Sequence, residues 1–438
     1  MSTTLTAIAV VTVGYILAYL LFDRLRDRFG YVGGAEYVVI GFLLGPHVAE
    51  LLDEQVVQEL TPIVSLALGW LGMLLGTYFR LPTMALLKGA HIRIAFTEAV
   101  TTFVLALAVL LPIFHYVVGY SWTDAPIPAV TLAAIATLCA PAAIDAFARK
   151  GFGTSPVFPV IQLVARIDAL IGVVAFGLVL AIFHRGEVAP TVRPPTATEW
   201  AVINIAVGVA SGILFHLFLG PREGETGEDG EGRLFVALAG AIVVASGAAY
   251  YLNLSPIFTN LVLGFILANT GNAHRDVSRL LARTERPVFL ALLIFAGAAW
   301  SSSAAELWFI APAFIGIRLA ARYLGGRLAG TIGAPPHLRT PELGRALLAQ
   351  GGFGVAIAVN YTQVAPDLDP NIVLTATLLS ILLFEVVASA ETSAVLAHAA
   401  APPPRAEDEA PPPPPPPASA SEPPEDEGGA ALEPAGAE

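Results

Sequence analysis

Long apolar stretches, separated by short polar or basic segments, recur along nearly the whole chain. Several reach or approach the ~20 residues needed to cross the hydrocarbon core of a bilayer. The pattern predicts thirteen helices, near 4–22, 36–52, 57–79, 93–119, 126–148, 156–184, 199–220, 233–252, 254–270, 286–300, 305–330, 343–362 and 370–397. In hydrocarbon the backbone must satisfy its own hydrogen bonds, so helices are the expected spanning element. The segment GPREGETGEDGEGR at 220–233 reads as a flexible acidic connector between the seventh and eighth spans. From about residue 401 the pattern stops. The rest is rich in Pro, Ala and Glu, with seven consecutive prolines at 411–417, and holds too few apolar side chains to form a core. A solvated, partly polyproline tail is expected there.

Composition agrees with an all-α polytopic membrane protein. Only 13% of the 438 residues are charged and the mean hydropathy is +0.71, whereas soluble domains carry about a quarter charged residues. The formal charge of −12 is concentrated in the tail, where residues 401–438 hold nine acids and one arginine. That distribution gives no basis for nucleic-acid binding. Cys139 is the only cysteine, so no intrachain disulfide can form. The opening MSTTLTAIAV lacks the basic start of a secretory signal, and residues 4–22 are read as a retained first span.

Basic residues set the expected orientation. One set of alternate loops holds Arg24, Arg26 and Arg28, then Arg80, Lys88 and Arg93, then Arg149 and Lys150. It continues with Arg222 and Arg233, the four arginines at 275, 279, 283 and 286, and those at 327, 339 and 345. The other set holds only Arg185 and Arg193. The positive-inside rule then places the N-terminus outside and the C-terminus in the cytoplasm. An odd number of spans agrees with termini on opposite sides.

Ionisable residues inside spans are costly and mark function by default. Asp168 and Arg166 fall in the sixth span, Arg318 and Arg322 in the eleventh, and Glu385 in the thirteenth; Glu98 and Asp145 fall near span ends, where water is within reach. Asp168 lies near the bilayer midplane, where a carboxylate can hold either a proton or a small cation. The bland alternative is an ion pair, for instance with Arg318. Arginine does not titrate, so Arg318 is expected to hold a carboxylate or supply fixed charge. The bland alternative is a snorkelling interfacial residue, a reading stronger for Arg322, which is nearer the cytoplasmic end, and Arg166 can do the same. Glu385 is either a site residue or a neutral acid bonded to backbone.

Two spans look interrupted: the fifth at ATLCAPAAID (136–145), by Pro141, and the twelfth at LLAQGGFGVAIAV (347–359), by Gly351 and Gly352. Broken spans at matching positions of two halves mark the binding site of a transporter. Their unwound carbonyls and Thr137 are candidate cation ligands. His47, His115 and His216 lack metal-ligand spacing, and no phosphate-loop, H-E-x-x-H or G-x-S-x-G motif appears in a supporting context. No resident metal, cofactor or enzymatic activity is expected.

In order and spacing these segments resemble the cation:proton antiporter superfamily, its bacterial sodium/proton and potassium-efflux-like branch. The resemblance rests on GFLLGP (41–46), ATLCAPAAID followed by ARKGFGTSP, VARIDALIGVVAF (164–176), LSPIFTNLVLGFILAN (254–269), LALLIFAGAAW (290–300) and LLAQGGFGVAIAV. It covers about residues 5–397. It implies an inverted-repeat fold with two crossed discontinuous helices and a homodimer in the bacterial inner membrane. Residues 1–92 and 185–303 would be the scaffold and dimerisation parts, and 93–184 and 304–398 the core; 399–438 is the tail. Asp168 matches the family's ion-binding aspartate, Arg318 its basic residue before the second crossover, and Thr137 and Pro141 positions around the first. The chain departs from the pattern at Ile167, where the family keeps Asp or Asn beside the aspartate. It departs again at Thr-Leu-Cys-Ala-Pro, which lacks the polar side chain before the proline.

The function expected is exchange of a monovalent cation, Na+ or K+, for a proton by alternating access, electroneutral because Ile167 cannot titrate. The alternative is a non-transporting membrane sensor or scaffold on the same fold. The altered crossover favours that alternative, while Asp168, Arg318 and the paired breaks favour transport. A solute symporter on a bile-acid-transporter-like fold is disfavoured by the number of spans.

Overall fold

Twelve of the thirteen predicted spans are helical in the computed structural model, which describes residues 34–46, 48–149, 151–185, 193–219, 228–270, 274–301, 308–331 and 334–400. The first predicted span, most of the acidic connector and the tail lie outside the described residues. The helices are α1 (Ala35–Leu44), α2 (Thr61–Thr77), α3 (Gly89–Pro112), α4 (Pro126–Thr137), α5 (Pro141–Arg149), α6 (Phe158–Ile182) and α7 (Ala197–Leu219). They continue with α8 (Glu228–Tyr251), α9 (Pro256–Asn269), α10 (His274–Ala299), α11 (Ile310–Thr331), α12 (Gly352–Val364) and α13 (Pro370–Ala400). No strand occurs among the described residues.

Local chemistry sets the starts and stops. Pro126 and Pro256 open α4 and α9 at positions whose N–H would have no helical partner, and the Ser255 side chain caps α9 by accepting from Phe258 N at 3.3 Å. Pro112 ends the regular part of α3, which loosens into one π turn, Ile113–Val117. The second predicted span is helical only to Leu44, and the tenth begins earlier than expected, at His274.

The packing repeats itself. Helix α2 packs on α9 and α1 on α10; α3 packs on α11; α3 on α6 is matched by α11 on α13; and α4 packs on α12. This is an inverted-repeat arrangement in which α1–α6 correspond to α9, α10, α11, the 3₁₀ turn Leu343–Leu347, α12 and α13. The α2–α9 contact is backbone-close: a Cβ on Gly72 would lie 2.1 Å from Ile257 O, and one on Gly264 would lie 2.1 Å from Met73 O. Small residues at helix crossings allow this approach where lipid offers no hydrophobic drive to association.

Fifth and twelfth spans are both discontinuous. The chain leaves helical geometry at 138–140, between α4 and α5, and at 348–351, between the 3₁₀ turn Leu343–Leu347 and α12. At the other end of the same helices, Arg185 bonds to both Asp124 and Asp367, and the Tyr120 hydroxyl donates to Asp369 Oδ2 at 2.6 Å. These bonds join the loop after α3 to the loop after α12, one from each repeat. Burial and the neighbouring carboxylates raise the Tyr120 phenol above its ordinary range, so it remains a donor.

Candidate functional site

The two breaks touch. Ala140 N donates to Ala349 O at 3.0 Å, and Gly351 approaches so closely that a Cβ there would lie 2.6 Å from Ala140 Cβ. The crossing brings together the C-terminal ends of α4 and of the 343–347 turn. Their last carbonyls have no helical partner and carry the negative end of each helix dipole.

Two arginines from α11 answer those carbonyls. Arg318 donates to Leu348 O (3.1 Å) on one break and to Leu138 O (2.9 Å) on the other, and its guanidinium lies 4.5 Å from the Phe384 ring centroid. Arg322, one turn further along the same face, donates to Thr137 O. Its Nη1 also reaches two carboxylates, Asp168 Oδ2 at 2.7 Å and Glu98 Oε1 at 2.9 Å. Asp168, Glu98, Arg318 and Arg322 are all 0% exposed. Asp168 is near the middle of α6, Glu98 near the middle of α3, and both arginines flank the middle of α11.

Several expectations need correcting. Arg318 does not hold Asp168; it holds the crossing. Arg322 does not snorkel: it lies on the inward face of α11, near the middle of the helix, and its guanidinium is bonded to Asp168, Glu98 and Thr137 O. Glu98 does not reach water, because α3 begins at Gly89 rather than 93. The 3.6-residue repeat held the missed signal. Arg318 and Arg322 are four apart, as are Glu98 and Thr102, so each pair shares one helix face. The Thr102 hydroxyl donates to Glu98 Oε1 at 2.9 Å and lies 3.3 Å from Ala321 O.

The other candidates spread around this centre. The Thr137 hydroxyl is turned back on its own helix, donating to Ala133 O at 2.9 Å, so its carbonyl rather than its hydroxyl meets the cluster. Pro141 opens α5 and Gly352 opens α12, each immediately after a break. Glu385 is half-buried, its Oε1 lying against Gly34 beside the start of α1. Arg166 lies 3.7 Å from Asp145 and over the Tyr78 ring at 5.2 Å, and Asp145 also accepts from Gln162 Nε2 at 2.7 Å. His47 is outside the described residues, and no group of three His, Cys, Asp or Glu able to hold a metal occurs among them.

Chemically, the centre combines two buried carboxylates and one shared guanidinium nitrogen with a second arginine that neutralises the crossing. Buried charges persist only when paired and hydrogen-bonded. The paired oxygens here are Asp168 Oδ2 and Glu98 Oε1. The second oxygens, Asp168 Oδ1 and Glu98 Oε2, are buried with no hydrogen-bond partner.

No family model matches the chain, and no curated protein matches it. Solved structures do. One is the sodium proton antiporter MjNhaP1 from Methanocaldococcus jannaschii at pH 8, which superposes with a TM-score of 0.64 at 16% sequence identity, over 91% of this chain and 100% of that one. Helices such as Phe158–Ile182 and Ala197–Leu217 are long and apolar enough to cross a bilayer. The chain is thus an integral membrane protein with the all-helical, inverted-repeat fold of a cation:proton antiporter.

Proposed function

We propose that this chain is a monovalent cation/proton antiporter that exchanges Na+ or K+ for protons by alternating access, with Asp168 as the site both ions use. The observation that carries this is the position of Asp168. It is a fully buried carboxylate with one oxygen held by Arg322 and the other unpaired, beside the crossing of two interrupted helices. Sodium proton antiport in a protein of the same fold supports it. Residues 93–184 and 304–398 would form the moving core against a dimeric scaffold of residues 1–92 and 185–303. The basic loops favour a bacterial inner membrane orientation with the C-terminus inside.

The test is a pH-gradient assay in proteoliposomes, with sodium, potassium and lithium added in turn. Wild type should dissipate the gradient with at least one of them, and Asp168→Asn should not, at unchanged yield. Full activity of that variant would reject Asp168 as the site.

The second reading, a non-transporting sensor or scaffold, has one observation in its favour. The Leu138-Cys139-Ala140 break offers no polar oxygen side chain, and the Thr137, Leu138 and Leu348 carbonyls around it are taken by arginines. A wild-type protein that folds, inserts and exchanges none of the three cations would favour it.

A further inference from the structure

The family pattern puts a second polar residue next to Asp168 in sequence, and here that position is Ile167. The fold brings a different acid to the arginine that holds Asp168. Glu98, from α3, binds the same guanidinium nitrogen as Asp168, so their two bonded oxygens are no further apart than the sum of 2.7 Å and 2.9 Å. Each carboxyl therefore has one oxygen fixed on Arg322 Nη1 and a second buried oxygen without a partner. Unpaired buried oxygens in a fully enclosed polar centre are where an ion or a proton belongs.

We propose that Glu98 is the second carboxylate of the ion site, so that one monovalent cation or one proton is held between Glu98 Oε2 and Asp168 Oδ1. The proposal rests on the antiport function argued above. Three features beyond proximity support it. First, the charges leave one vacancy: two carboxylates and the Arg322 guanidinium sum to one negative charge, which a single monovalent cation or proton neutralises. Arg318 bonds to the carbonyls of both breaks and to neither carboxylate, so it is not part of this bonded triad. Second, three carbonyls at the breaks, those of Thr137, Leu138 and Leu348, are taken by arginines, whereas the buried carboxylate oxygens Asp168 Oδ1 and Glu98 Oε2 have no hydrogen-bond partner. Third, Glu98 is held for the task. Thr102 donates to Glu98 Oε1, and the absence of a side chain on Gly325 makes room for that hydroxyl, since a Cβ there would lie 2.3 Å from Thr102 Oγ1. The fixed oxygen is therefore Oε1, and Oε2 is bonded to neither donor.

The experiment measures binding and transport separately. Wild type, Glu98→Gln, Glu98→Asp and Asp168→Asn are purified. Each is tested for the rise in Tm caused by sodium or potassium chloride over choline chloride, and for the cation KM in proteoliposomes. The expected result is a cation-induced rise in wild type that Glu98→Gln loses, a KM raised at least about tenfold in Glu98→Gln, as for loss of a metal-site partner, and partial recovery of both in Glu98→Asp. A wild-type KM and cation-induced rise in Glu98→Gln would overturn the proposal while leaving Asp168 in place. If wild type shows neither exchange nor a cation-induced rise, the antiport function falls and this proposal falls with it. Should Glu98→Gln fail to fold, infrared difference spectra of wild type on exchanging choline for sodium or potassium decide: two perturbed carboxylate bands support the shared site, and one band overturns it.

Discussion

Arg322 Nη1 lies 2.7 Å from Asp168 Oδ2, with both side chains fully buried. The same nitrogen holds Glu98, and the other terminal nitrogen holds the last helical carbonyl of α4. One guanidinium thus fixes α3, α4, α6 and α11 relative to each other. A lysine offers a point charge in place of a planar fork, so it can match the charge and not the geometry.

Removing this group leaves two buried carboxylates without a bonded cationic partner, Glu98 keeping only the Thr102 hydroxyl. Breaking a buried ion pair from one side costs about 3–5 kcal/mol, and here two acids lose the same partner. Arg322→Ala is expected to lower the Tm of the detergent-solubilised protein well beyond Arg322→Lys. Combining Arg322→Ala with Asp168→Asn and Glu98→Gln should recover part of the loss. Thermal unfolding of the variants checks the order; a triple variant no more stable than Arg322→Ala alone would show that the carboxylates are not what the arginine stabilises.

The crossing gives a steric prediction. A Cβ on Gly351 meets the Ala140 Cβ at 2.6 Å and its Cα at 3.0 Å, and both are fixed by the backbone. At Gly352 the nearest atom, at 2.7 Å, is the Phe289 ring, which can turn aside. Gly351→Ala is therefore expected to cost about 1–3 kcal/mol of stability, in the range for overpacking a filled site, and Gly352→Ala less. Equal Tm values for the two variants would mean that the breaks do not touch as described.

These two findings differ in how far the sequence announced them. The interruptions were legible because Pro141 removes a helical donor and the Gly351-Gly352 pair weakens a span, both local properties. The arginine assignment was not, because it depends on which helix faces meet. Arg318 and Arg322 share one face of α11, and only the packing of that face against α3 and α4 makes Arg322, not Arg318, the partner of Asp168. Glu98 was hidden by a four-residue shift in α3. Hydropathy marks which segment crosses and not its first residue, whereas charge burial is set by depth to within a turn. The i,i+4 pairing of Arg318 with Arg322 was visible in the chain and would have set both on one face.

A pH dependence of stability is expected from the outer end of α6. His184 stacks on Trp200 at a centroid distance of 3.6 Å, and its Nε2 bonds to Leu252 O at 2.8 Å, tying α6 to α7 and α8. Burial lowers the His184 pKa. The unfolded chain, with a histidine near ~6.5, therefore takes up the proton first as pH falls. This contribution to stability is intact above about pH 6.5 and declines as pH falls through the folded value. Glutamine keeps a donor for Leu252 O and does not titrate. Between pH 7.5 and 5 the Tm of wild type should drop further than that of His184→Gln; parallel curves would remove His184 as a cause.

The last prediction concerns charge movement. Within the proposed function, the site holds either one proton or one monovalent cation, and both loads leave the centre with the same charge. Ile167 cannot titrate, and Arg318 and Arg322 keep their protons at working pH. Each half-cycle then carries one positive charge across, in opposite directions, and the exchange is electroneutral. A second proton would require Glu98 and Asp168 to be protonated together, leaving the Arg322 guanidinium buried with no anionic partner among the groups it bonds, which is strongly disfavoured. Reconstituted protein exchanging sodium for protons under an imposed potassium-valinomycin voltage should show a rate and an end point that do not change with voltage. A shift of the end point with voltage would overturn the one-for-one exchange. The same measurement on Glu98→Gln would then tell whether the extra charge passes through the carboxylate pair, since a shift that persists without Glu98 must arise elsewhere, with Asp145 and Glu385 the next groups to test.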